Sequence, residues 1–75
     1  MDLSPQEKVS RINTWISSSS EGFVRLVRRY RAERAARGWS EVSPGILSTL
    51  AEPEKYPKQL DLIVEIVATL KLIGE

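Results

Sequence analysis

The sequence predicts an all-α fold, a compact bundle of four short helices, on three observations. Apolar residues recur with a period near 3.6 along several segments. Serine–proline start signals precede two of those segments. Only one run also reads as a strand, which would leave it without a partner in the chain. At 75 residues the sequence makes one domain, residues 1–75. It divides into an N-terminal helix with a Ser-rich linker, residues 1–21, and a core over residues 22–75. A chain this short buries about 60% of its unfolded surface, which predicts a net stability of a few kcal/mol.

The first helix opens at Ser4-Pro5-Gln6-Glu7, a capping box with proline at the first helical position. Val9, Ile12 and Ile16 then mark one apolar face, with Trp15 beside it. The serines of residues 17–20 end the helix, because their hydroxyls compete for local backbone groups. This first segment reads as a short surface helix followed by a flexible linker.

Ser18 and Glu21 offer a second capping box, with Gly22 in the first turn of the next helix. At about 100° per residue, Phe23, Leu26, Val27 and Tyr30 fall together, and Arg25, Arg28, Arg29 and Arg31 fall opposite. Arg34 and Arg37 lie nearer the apolar edge, where long cationic side chains snorkel. Gly38 is the expected C-terminal stop, and Trp39 is expected to pack back on the core.

Ser43-Pro44-Gly45 repeats the cap-plus-proline signal ahead of Ile46, Leu47 and Leu50, a short third helix closed by Pro53. Residues 52–57 hold two prolines and read as a turn. From Lys58 a last helix carries Leu60, Ile63, Val64, Val67 and Leu70 on one face. Its alternation of Leu60, Leu62, Val64, Ile66, Ala68, Leu70 and Leu72 also matches strand period. Helix is preferred unless two subunits share a strand. As a helix it has a second apolar strip, Leu62, Ile66 and Ile73, which suggests a homodimer.

The chain contains no Cys and no His. Disulfides, thiolate nucleophiles, Cys/His zinc sites and imidazole acid–base catalysis are therefore excluded. The four glycines are isolated, so no phosphate-binding loop is present. No cofactor, metal or enzymatic activity is expected. Asp2 and Glu7 stand where a secretory leader needs cations, and no apolar run is long enough to span a bilayer. These features read as a cytoplasmic protein without a membrane partner.

The overall charge of +1 hides an asymmetry. Six of the seven arginines lie in residues 22–38, where Glu33 is the one acid, a net +5. Residues 1–21 carry −1 and residues 39–75 carry −3. A concentrated basic stripe is the usual footprint of a nucleic-acid or acidic-protein partner.

Residues 42–72 resemble the second half of helix-turn-helix domains of the phage-repressor type. Val42, Ser43, Leu47, Ser48 and Leu50 match the family's "V-S-x-x-x-I-S-x-I" recognition helix. Pro57, Leu60, Ile63, Ile66 and Leu70 match the proline-containing turn and the helix that follow. The Arg-containing stretch ending at Gly38 echoes the family's first helix. The resemblance implies a helix-turn-helix-like C-terminal part and DNA binding in transcription regulation. Pro44 and Gly45 occupy the start of the reading helix, and no Arg, Gln or Asn follows up to Leu50, so base edges have no bidentate reader.

Two functions follow as expectations. In the first, a DNA-binding regulator contacts phosphates through Arg25, Arg28, Arg29 and Arg31, with Ser43, Ser48, Lys55 and Lys58 extending the patch. In the second, a phage- or plasmid-type inhibitor or adaptor meets an acidic surface of a larger machine, such as the transcription apparatus. There the same arginines act with Tyr30 or Trp39 as anchors.

Overall fold

A computed structural model describes residues 3–39 and 44–73. Within them the chain forms four α-helices and no strand: α1 (Pro5–Ser18), α2 (Gly22–Ala36), α3 (Ile46–Ala51) and α4 (Pro57–Leu72). α4 is the central element and packs against each of the other three, while α1 also meets α2. The all-α reading therefore holds, and the strand alternative for the last segment does not.

α1 starts where the capping box placed it. The Ser4 side chain accepts the Glu7 amide at 3.2 Å and donates back to the Glu7 carboxylate at 3.1 Å. Pro5 occupies the first turn, where its missing N–H costs nothing. Ile12 and Trp15 are the buried residues of this helix, and Val9 and Ile16 pack half-buried beside them. Trp15 thus sits inside the core, and the core extends across the division drawn at residue 21. Lys8 reaches Asp61 of α4 at 2.7 Å, a further tie between the first and last helices.

The second capping box does not form. Ser18 is the last residue of α1 and donates its hydroxyl to the Trp15 carbonyl at 3.0 Å. Glu21 takes the N-cap position of α2 without a side-chain cap bond. Gly22 is buried at the start of α2, beside Trp15 of α1. A Cβ there would lie 2.9 Å from the Ser19 Cβ and 3.1 Å from the Trp15 ring, inside normal contact distance. This glycine is set by packing rather than by its backbone angles.

The C-terminus of α2 follows the glycine rule. Gly38 adopts φ +71°, where a side chain costs about 1–2 kcal/mol. Its amide bonds the Ala35 carbonyl and the Trp39 amide bonds the Arg34 carbonyl, each at 3.1 Å, closing a Schellman motif. The reversal brings Trp39 back against the core, half-buried.

α3 begins later than the sequence signal suggested. Gly45 is its N-cap and Pro44 lies outside it, while Ser43 falls outside the described residues. Ile46 is buried and Leu50 half-buried, but Leu47 is 71% exposed. The third inward position belongs to Thr49, at 0% exposure. Residues 46, 49 and 50 share one helical face, and residue 47 lies about 100° away. Thr49 satisfies its hydroxyl by donating to the Gly45 carbonyl at 2.9 Å.

α4 buries Leu60, Leu62, Ile63, Ile66, Val67 and Leu70, with Val64 half-buried. The proposed dimer strip is therefore corrected: Leu62 and Ile66 are 3% and 4% exposed within the single chain. They lie where α2 crosses α4, beside Arg29 and Glu33, and only Ile73 of the strip is on the surface, at 61%. Three neighbouring helices cover more than half the circumference of α4, so its apolar residues spread beyond one stripe and mimic strand alternation.

One buried polar link fixes α3 against α2. Tyr30, 2% exposed, donates its phenol proton to the Pro44 carbonyl at 2.8 Å, with the Thr49 hydroxyl nearby. Burial raises the phenol above its ordinary 10.0, against opposing pulls from Arg34 and Thr49. An acid whose folded pKa is raised contributes stability in full below its unfolded value and loses it as pH climbs through the folded value. Tyr30→Phe is expected to cost about 1 kcal/mol at neutral pH, from the lost hydrogen bond. That deficit should narrow above pH 10.0, where the phenol ionises in the unfolded wild-type chain while the folded one still holds its proton. Urea titrations of both proteins on the two sides of that value check this, and a deficit independent of pH contradicts it.

Candidate functional site

α2 is the scaffold of the site. Leu26 and Tyr30 anchor one side in the core, so the opposite side is held at a fixed height above the bundle. Arg25, Arg28, Arg29 and Arg31 are all exposed there, as the periodicity placed them. Stepping by about 100° per residue, they follow the order Arg31, Arg28, Arg25, Arg29 around roughly 160° of the helix. The face is a convex fan rather than a narrow stripe. Val24, 53% exposed, and Ala32 and Ala35 fill the gaps between the guanidinium groups.

Internal pairing divides the six arginines of this segment into two groups. Arg25 meets Glu21 at 3.2 Å, an i,i+4 pair in which both side chains are exposed. Arg37 meets Glu33 at 2.9 Å and Glu65 of α4 at 3.9 Å, and its guanidinium lies 6.0 Å from the Trp39 ring. Arg34 lies 5.7 Å over the Tyr30 ring. Arg34 and Arg37 thus run along the apolar edge, and their heads act within the fold. Exposed i,i+4 ion pairs of this kind contribute about 0.3–0.5 kcal/mol each and exposed cation–π contacts about 0.5–1 kcal/mol. Among the described residues, no carboxylate pairs with Arg28, Arg29 or Arg31.

The remaining predicted site residues are dispersed over the segment after α2. Ser43 lies outside the described residues. Ser48 is exposed on α3, a helix of six residues that offers solvent only Leu47, Ser48 and Ala51. Lys55 stands in the α3–α4 turn with its ammonium 5.6 Å from the Tyr56 ring, and Lys58 is exposed in the first turn of α4. The sequence reading missed the three carboxylates that hold Arg25 and Arg37. Glu21 and Glu33 were legible as i,i+4 partners, whereas Glu65 is brought in from another helix and carries no local signal.

No three acidic side chains among the described residues are gathered to hold a metal ion. Among them, too, no helix is long and apolar enough to cross a membrane. No protein-family model, characterised protein or solved structure matches this chain. The chemistry of the site therefore stands on its own residues.

Proposed function

We propose that this protein is a small DNA-binding regulator that grips the phosphates of a duplex through the outward face of α2. The observation that carries this reading is that Arg28, Arg29 and Arg31 project from a core-anchored helix with no carboxylate partner among the described residues. Unpaired guanidinium groups release counterions when they meet phosphates, which drives association without any base contact. A helix about 10–12 Å across matches a major groove about 12 Å wide. In that pose Arg29 and Arg31, on opposite flanks of the fan, face the two strand backbones, and Arg28 lies between them.

The resemblance of residues 42–72 to phage-repressor domains favours the same class of partner. It assigns reading to α3, which offers Leu47 and Ser48 but no bidentate side chain. Binding is therefore expected to depend weakly on sequence. Ser48, Lys55 and Lys58 are auxiliary contacts in this reading, and Arg25 joins once phosphate competes with Glu21.

Fluorescence anisotropy of a labelled generic duplex over a salt series tests the proposal. Three phosphate contacts predict a slope of log affinity against log salt of about −3. Absence of binding at low salt, or binding indifferent to salt, removes it. One observation favours the second reading, an adaptor bound to an acidic protein surface: Val24 stands exposed within the arginine fan, where a protein partner gains from it and a phosphate backbone does not. Retention of one protein partner after nuclease treatment, lost on charge reversal of the fan, would select that reading.

A further inference from the structure

A second surface shares no residue with the arginine fan. α1 and α4 pack side by side but leave an open cleft of about 150 Å³ between them. Its floor is apolar: Ile12 and Val67 are buried beneath it, and Leu3 and Val64 form half-buried walls. Ala68 is its exposed lip. The rim is cationic, with Lys8, Arg11 and Lys71 around the opening.

The three cations are not equivalent. Lys8 is held by Asp61 at 2.7 Å. Among the described residues, no carboxylate pairs with Arg11 or Lys71, and both are exposed. The same two residues border a neighbouring depression lined by Ser10, Thr14, Trp15 and Ser18, so positive charge continues along the α1 side of the cleft. Leu72, 87% exposed, stands one helical turn beyond Ala68 and extends the apolar lip.

We propose that this cleft receives one bulky apolar side chain from an acidic segment of a partner protein, with the segment's carboxylates meeting Arg11 and Lys71. The volume suits a single Leu or Phe side chain. Apolar floor and cationic rim together select a ligand that is apolar at one point and anionic on either side, as in amphipathic helices laid into a groove. Nucleic acid meets the rim but leaves the floor uncovered. The protein thereby gains a binding function separable from the α2 face: one side for phosphates, another for an acidic peptide.

The probe is a synthetic amphipathic peptide with Leu and Phe on one face and Glu at its other positions, titrated into the isotopically labelled full chain. Saturable amide shifts at Ile12, Val64, Ala68 and Lys71 are expected, with affinity in the micromolar range. Ala68→Trp, at an exposed lip position, is expected to plug the opening and weaken binding at least tenfold without changing charge. Arg11→Glu combined with Lys71→Glu should do the same by repulsion, with circular dichroism confirming that both variants fold. A peptide with Leu and Phe replaced by Ser should not bind. Four results overturn the proposal: no saturable shift at millimolar peptide, equal binding of the Ser peptide, shifts confined to α2, or tighter occupation of the cleft by dodecyl sulfate. A negative salt-series result with duplex DNA leaves this test unaffected, because no residue is shared.

Discussion

Charge reversal of Arg28, Arg29 and Arg31 to Glu together is expected to weaken duplex binding by roughly a hundredfold or more at low salt, since three counterion-releasing contacts become repulsive. The fold should survive. All three side chains are exposed, and among the described residues none is engaged by a carboxylate. Exposed substitutions of this kind usually change stability by about 0.5 kcal/mol or less each. Arg34→Ala with Arg37→Ala is the informative contrast. Those heads are committed to Tyr30, Trp39, Glu33 and Glu65, so their loss should lower stability more than affinity. Anisotropy and thermal melts on the two variants separate the effects. Equal loss of binding in both would mean that the division between outward and inward arginines is wrong.

Ile63→Ala carries the largest expected effect on stability. Ile63 is 0% exposed at the centre of α4, the helix on which the other three converge. Removing its buried methyl and methylene groups costs about 2–5 kcal/mol, including the cavity left behind. A domain of this length has roughly 4–11 kcal/mol in total, and the absence of disulfide and Cys/His metal supports places this one toward the lower end. The melting temperature should fall by roughly 8–40 °C. Leu72→Ala, 87% exposed on the same helix, should leave it nearly unchanged. A loss below about 1 kcal/mol at Ile63 would contradict the central placement of α4.

These two variants also mark how far the sequence could be read. Local signals located what local chemistry controls. The Ser4–Glu7 capping box started α1, Gly38 stopped α2, and the 3.6-residue period separated Leu26 and Tyr30 from the four outward arginines. The failures came where a neighbouring element decides. Ser18 looked like a cap for α2 but ends α1, donating to the Trp15 carbonyl, while Gly22 packs against the Trp15 ring. Leu62 and Ile66 looked like a dimer strip because nothing in one segment reveals that three helices will pack against it. Leu47 looked inward, yet it is 71% exposed, and Thr49 is buried in its place beside Tyr30, donating to the Gly45 carbonyl.

The candidate site divides the same way. Position on α2 was legible from periodicity. The i,i+4 partners Glu21 and Glu33 were legible as well, whereas Glu65 reaches Arg37 only once α4 is in place. The cleft between α1 and α4 was equally hidden, because its floor and rim come from opposite ends of the chain.

Amide-shift mapping of the labelled protein with a generic duplex, at low salt and again at elevated salt, decides whether the outward face of α2 is the contact surface. Shifts should concentrate on Val24, Arg28, Arg29, Arg31 and Ala35 and fade as salt rises. A spectrum left unmoved by duplex DNA, or shifts gathered elsewhere with α2 silent, would contradict it.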